Sequence, residues 1–246
     1  MTRPHTGSAL GLKLPMPSPK ILQANQDGVL TLTLNRPDKL NAIDNELASE
    51  LLEALDVAET DPGVRVLRLG GNGRAFCAGR DISAQPTDKD LTLVQSIAKA
   101  IVGSSKPVVA AVHGWTVGAG LEIMLCADVV LADTGTRFKL PEASLGVFVT
   151  GGLTATLPAT VGLARAKSLA LLGEEFSASE ALAWGMLYKI TLDQALDVES
   201  WRVAIALATL SPAVASQFKR VFNLMGMSGF EQAIEEENKT HRRWRS

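Results

Sequence analysis

The sequence predicts an α/β fold that becomes helical in its last third, and three observations carry that reading. Short β-type apolar runs alternate with amphipathic helical stretches as far as "RFKLPEASLG". One of those runs, "KPVVAAVHG", is apolar almost throughout, as a strand buried on both faces should be. From Gly151 onward, helical patterns follow one another. With 246 residues, 46% of them hydrophobic, the chain can bury the core of one large domain, and no linker-like stretch divides it.

The elements follow in order. "MTRPHTGSALGLKLPMPSPK" has four prolines and no apolar signal core, so residues 1–19 are expected to form a flexible leader to a domain spanning 20–246. "KILQANQDGVLTLTLNR" alternates about Asp27-Gly28 and reads as a β-hairpin. In "IDNELASELLEALDVAET", Ile43, Leu47, Leu51 and Leu55 recur at helical spacing, with Asp44 placed to cap the start. "VRVLRLGG" is a strand, "DLTLVQSIAKAIVGSS" a helix, and "DVVLAD" and the start of "RFKLPEASLG" are strands, the latter breaking at Pro141. Five helices are then expected, around "GGLTATLPATVG", "ARAKSLALLG", "SASEALAWG", "ESWRVAIALATL" and "PAVASQFKRVFNLMG". Ser177 and Glu180 make a capping box at the third of these. No internal repeat is visible.

Composition excludes several classes of function. The formal net charge is −2 and the longest basic run is the terminal "HRRWRS", so nothing in the electrostatics calls for nucleic acid. No apolar stretch reaches the roughly 18 residues of a membrane span. Cys77 and Cys126 lack CxxC or metal spacing and read as reduced thiols of a cytoplasmic protein, and His5, His113 and His241 are isolated, so no metal site is expected.

Three glycine-rich segments stand out: "GGNGRAFCAGRDI", "HGWTVGAGLEI" and "PEASLGVFVTGGLT". None continues into Gly-Lys-Ser/Thr, none matches a dinucleotide fingerprint after a first strand, and Ser144 is not in a G-x-S-x-G elbow. What remains is a backbone-donor site, where N–H groups from two turns converge on an oxygen that gains charge, against the plainer use of glycine in tight turns. Glu122 is flanked by Leu121, Ile123, Met124 and Leu125, so its helix is buried on most sides and its carboxylate must face a cavity or a partner. Spacing alone does not say whether Glu142 meets it.

"NRPDKLNAIDNEL", "GRAFCAGRDI", "KPVVAAVHGWTVGAGLEIMLCADVVLAD" and "FKLPEASLG", followed by "TVGLARAKSLALLGEEFSASEALAWGML", together resemble the enoyl-CoA hydratase/isomerase family, the crotonase superfamily. The resemblance implies a spiral of repeated ββα units over about 20–190 and a helical C-terminal region over about 191–246 that drives assembly into a homotrimer or dimer of trimers. It implies an acyl-CoA substrate and no other cofactor, CoA entering as part of that substrate. By position, the backbone N–H groups of Arg80 and Ala119 would form an oxyanion hole for the thioester carbonyl, beside Gly118. Ala78, Gly79, Arg80, Asp81 and Ile82 would border the CoA adenine. Glu122 and Glu142 would be the acid/base pair of a hydratase.

Two departures accompany the resemblance. Val149 and Thr150 stand where many relatives carry Pro-Gly, which implies a differently shaped acyl pocket or a double-bond shift in place of hydration. A further distal helix, expected of the family after "FEQAIEEENKTHRRWRS", is missing from this sequence. Trp115 is a candidate wall of the acyl cavity, and Lys39, Arg74, Arg80 and the "HRRWRS" terminus are candidate phosphate contacts, each also readable as packing or solvated charge. The resulting expectation is an enoyl-CoA hydratase. The alternatives are an isomerase that uses Glu142 alone and a non-catalytic acyl-CoA binding protein.

Overall fold

The computed structural model describes residues 18–83 and 87–245. Most of the expected leader, with His5, therefore lies outside the described residues. Strands β1 (Ile21–Gln26) and β2 (Val29–Leu34) form the expected hairpin, with Gln26 opposite Val29. Asp27 and Gly28 both take positive φ, 50° and 79°, as a two-residue hairpin turn that matches strand twist requires. Helix α1 (Asn45–Thr60) begins where Asp44 accepts a hydrogen bond from the Leu47 N–H.

Three ββα units follow. They are β3 (Val66–Gly71), β4 (Ala75–Cys77) and α2 (Asp88–Gly103); β5 (Val108–Val112), β6 (Trp115–Val117) and α3 (Ala119–Leu125); and β7 (Val129–Asp133), β8 (Arg137–Lys139) and α4 (Leu153–Val161). Later come α5 (Leu163–Leu172), β9 (Phe176–Ser177), α6 (Ala178–Ala183), β10 (Lys189–Thr191), α7 (Leu196–Ala208), α8 (Pro212–Gly226) and α9 (Phe230–Arg245). Each unit sends its first strand to a large sheet of order β1-β2-β3-β5-β7-β10 and its second to a small sheet of order β4-β6-β8-β9. Equivalent strands of successive units pair in parallel, so the chain climbs as a spiral. The sequence hides this repeat because the second strands are three residues long, too short for a period-2 pattern, and lie inside the glycine-rich segments.

All five residues of β5 are buried, as its apolar composition demands. One face of the large sheet packs against α1, α2 and α3, and Val29, Val66, Val109 and Leu131 on the other face pack under α7 through Leu196 and Val203. Helix α2 starts two residues before the expected Asp90, because Thr87 and Asp90 form a capping box. The Ser177–Glu180 box at α6 forms as expected.

Helix α8 is inverted relative to its apolar stripe. Its buried residues are Ala215 and Lys219, while Phe218, Phe222 and Met225 are 64%, 71% and 76% exposed. The Lys219 ammonium donates to the Ile101 and Lys106 carbonyls at 2.7 and 3.1 Å and pairs with Asp128 at 2.9 Å. Helix α9, which falls inside the helical C-terminal region that the resemblance implies but is not delimited by its own pattern, packs on α4 and buries Phe230 and Ile234. Among the described residues no helix is long and apolar enough to cross a membrane.

Candidate active site

The small sheet brings the three glycine-rich segments together. Strand β6 lies between β4 and β8, so the turn after each strand emerges beside its neighbour. The turn after β4 is held by a parallel bridge between Arg80 and Ile43: the Ile43 N–H donates to Gly79 O and the Asp81 N–H to Ile43 O, both at 2.8 Å. In that pattern the amide of Arg80 itself points away from the Ile43 segment. Gly79, at φ +91°, lies so close to β6 that a Cβ there would meet Val117 O at 2.9 Å and Ala119 N at 3.7 Å. The backbone amides of Arg80 and Ala119 thus belong to adjoining turns. Ala119 opens α3, where N–H groups lack partners within the helix.

Gly118 joins β6 to α3 at φ 50° and ψ −123°, a conformation that favours glycine. A Cβ at Gly118 would stand 2.5 Å from Glu142 Oε1. Glu142 follows the break at Pro141 in a turn closed by the Val147 N–H on Glu142 O at 3.0 Å. The second acid therefore lies directly against the glycine turn. Its Oε2 is buried and has no hydrogen-bond partner among the described residues.

Glu122, one turn into α3, is 1% exposed. Its carboxylate accepts from the Gly151 N–H at 2.6 Å, the Thr150 hydroxyl at 2.9 Å and the Thr150 N–H at 3.2 Å. A Cβ at Gly151 would meet Glu122 Oε2 at 2.8 Å, so the close approach needs glycine. Burial raises Glu122 well above the ordinary carboxylate range; the charges of Glu142 and Glu237 add to the rise, and the Thr150 donors oppose it. Burial likewise raises Glu142. Two carboxylates that feel one another in a desolvated site favour holding a proton between them.

The remaining expected residues are more dispersed. Asp81 is tied down by Ser83 and by Arg36, which hold its carboxyl far below the ordinary value, and Ile82 beside it is 78% exposed. Ala78 and Arg80 are half-buried, Lys39 and Arg74 exposed. Trp115 is 37% exposed on β6, between Ala75 and Arg137 in register. Thr150, one half of the departure from Pro-Gly, supplies two of the donors that grip Glu122. Sequence reasoning missed Gly151 and a further acid, Glu237 on α9, which is 0% exposed. The available signal was its helical spacing from Phe230 and Ile234, which puts it on their buried face.

The model of the family described as enoyl-CoA hydratase/isomerase matches residues 24–245. The 1,2-epoxyphenylacetyl-CoA isomerase of Escherichia coli (strain K12) is 38% identical over 199 residues, 77% of this chain and 76% of its own. The 2,3-dehydroadipyl-CoA hydratase of the same organism is 36% identical over 191 residues, 74% of each chain. The crystal structure of an enoyl-CoA hydratase from Mycobacterium avium subsp. paratuberculosis K-10 superimposes with a TM-score of 0.85 at 33% identity, covering 91% of this chain and 89% of that one. A spiral of ββα units ending in helices, a buried and a half-buried glutamate beside the glycine turns, and these matches lead to one conclusion: the chain belongs to the enoyl-CoA hydratase/isomerase family.

Proposed function

We propose that the protein adds water, in syn fashion, across the double bond of a trans-2-enoyl-CoA. The observation that carries this reading is a pair of carboxylates at one site, Glu122 buried and held by three donors and Glu142 presenting a buried, unpartnered Oε2 whose charge acts on Glu122. Ionised Glu122 takes a proton from water as its oxygen bonds to the β-carbon. The double-bond electrons shift onto the thioester oxygen, giving an enolate, and protonated Glu142 delivers its proton to the α-carbon. The proton then passes from Glu122 back to Glu142, so the cycle balances on the two glutamates.

In this reading the amides of Arg80 and Ala119 receive the enolate oxygen, each such donor contributing roughly 3 kcal/mol in the transition state. Gly118 keeps that approach open. Ala78, Gly79, Asp81 and the exposed Ile82 border the CoA adenine, Thr150 sets the floor of the site, and Trp115 flanks the acyl group. The reaction as written requires no metal or redox cofactor. The outward apolar side of α8 supports assembly as a homotrimer or dimer of trimers. The free thiols Cys77 and Cys126 fit a reducing cytoplasm.

Isomerisation by Glu142 alone is the second reading. It is favoured by the unpartnered Glu142 Oε2 beside Gly118, since a single mobile carboxyl suffices to carry a proton between carbons. Loss of enoyl-thioester absorbance from crotonyl-CoA and longer 2-enoyl-CoAs, with Glu122→Gln and Glu142→Gln run alongside, separates the two. Hydration requires both acids. Turnover of 3-enoyl-CoA that survives Glu122→Gln, with none on 2-enoyl-CoAs, would assign an isomerase.

A further inference from the structure

The turn Thr150–Thr154 is clasped between two buried acids on different helices. On one side its Thr150 and Gly151 donors hold Glu122. On the other, the Gly152 N–H donates to Glu237 Oε2 at 2.9 Å, and the Thr154 N–H and hydroxyl donate to Glu237 Oε1 at 3.0 and 2.8 Å. The carboxylate of Glu237 is thus hydrogen-bonded by the backbone and hydroxyl of this one turn, with His241 as the nearby charge that favours its ionised form. The same stripe of α9 grips the turn along its length. Phe230 lies over Gly152, where a Cβ would meet its ring at 2.3 Å, and His241 Nε2 is 3.1 Å from Val149 O.

We infer that Glu237 is a positioning residue for Glu122: by fixing the amides of Gly152 and Thr154 it fixes the neighbouring amides of Thr150 and Gly151, which orient the Glu122 carboxylate. The inference rests on the assignment of Glu122 as the base. Two features support an orienting role beyond simple attachment of α9. Phe230 and Ile234 already bury apolar surface for α9, and a buried charge is a costly way to add more. The donors taken by Glu237 are also continuous in sequence with those taken by Glu122, so movement of one set carries the other. The titratable groups facing Glu237 are Glu122 and Cys126 on α3 and His241 on its own helix.

The test is a double-mutant cycle of Glu237→Gln with Glu122→Gln, assayed on crotonyl-CoA with thermal unfolding measured in parallel. Glutamine keeps the volume but offers one oxygen to three donors. The expected result is a fall in kcat on the order of 10- to 100-fold with KM within about twofold, as slight misplacement of a catalytic group produces. In the Glu122→Gln background the same change should cost less than about twofold. Thr154→Val, which loosens the clasp from the other partner, should reproduce the kcat loss, whereas Ile234→Ala should lower the melting temperature and leave kcat within about threefold. Equal losses in both backgrounds, or a loss that merely tracks stability, would overturn the inference. If the wild type does not hydrate 2-enoyl-CoAs, the base assignment fails separately. The coupling is then read from the carboxylate infrared band of Glu122, isolated as wild type minus Glu122→Gln. Glu237→Gln should move that band and Ile234→Ala should not; a band that stays in place would equally overturn it.

Discussion

Replacing Gly118 with alanine puts a methyl group where Glu142 now rests. The added Cβ would lie 2.5 Å from Glu142 Oε1, whereas ordinary contact begins near 3.4 Å, so the carboxyl must retreat by about 0.9 Å (3.4 less 2.5) or the turn must open. The backbone adds its own strain: φ 50° with ψ −123° costs a non-glycine residue about 1–3 kcal/mol. Displacing a reacting group by about 1 Å lowers turnover on the order of 100-fold. Gly118→Ala is therefore expected to lose about 1–3 kcal/mol of stability and about 100-fold in kcat on crotonyl-CoA. Gly162→Ala is the control, since that residue has φ +79° with open space around its Cβ position; it should lose stability and keep its kcat. A Gly118→Ala protein that turns over at the wild-type rate would show that Glu142 does not work from its place against this turn.

Thr150→Val removes the hydroxyl that donates to Glu122 at 2.9 Å and keeps the N–H. A hydrogen bond to a charged group contributes about 1.5–3 kcal/mol, so kcat should fall about 10- to 100-fold. Because that donor favours the ionised form, the acid limb of kcat/KM should move to higher pH, and movement to lower pH would contradict the assignment. Glu122→Gln should change how stability depends on pH. A carboxyl raised from its ordinary 4.5 binds more protons folded than unfolded, so the stability it confers is fully present below about 4.5 and is lost as pH rises through the folded value. Relative to wild type, Glu122→Gln should therefore gain stability as pH rises from about 5 to 9, by about 1.4 kcal/mol for each tenfold by which folding tightens proton binding at Glu122. Melting temperatures that run parallel over that range would refute it.

The parts legible in the sequence are those where one local rule dominates. Asp27-Gly28 fixes a hairpin, Asp44 and Ser177 fix helix starts, and the unbroken apolar run of β5 requires burial on both faces. Glu122 was legible for a related reason, as one charge among consecutive apolar residues on a short helix. The small sheet was not, because two- and three-residue strands carry no periodicity and their pairing is entirely long-range. That sheet is what sets Glu142 against Gly118. Glu237 was hidden differently: in "FEQAIEEENK" it is one of several acids, and its neighbours Glu235 and Glu236 are exposed. In α8 the usual inference reverses, since the lysine points inward and the phenylalanines outward.

The adjoining turns after β4 and β6 are fixed by main-chain bonds, Ile43 to Gly79 and Asp81, and Gly118 to Lys139. Neither Glu122 nor Glu142 contributes a side chain to those bonds. The side chains at positions 122 and 142 can therefore be exchanged without removing any of the main-chain bonds that hold the two turns. A frame held by its own main chain tolerates different side chains at its mouth, and the relatives similar to this chain include one named as an isomerase and one named as a hydratase.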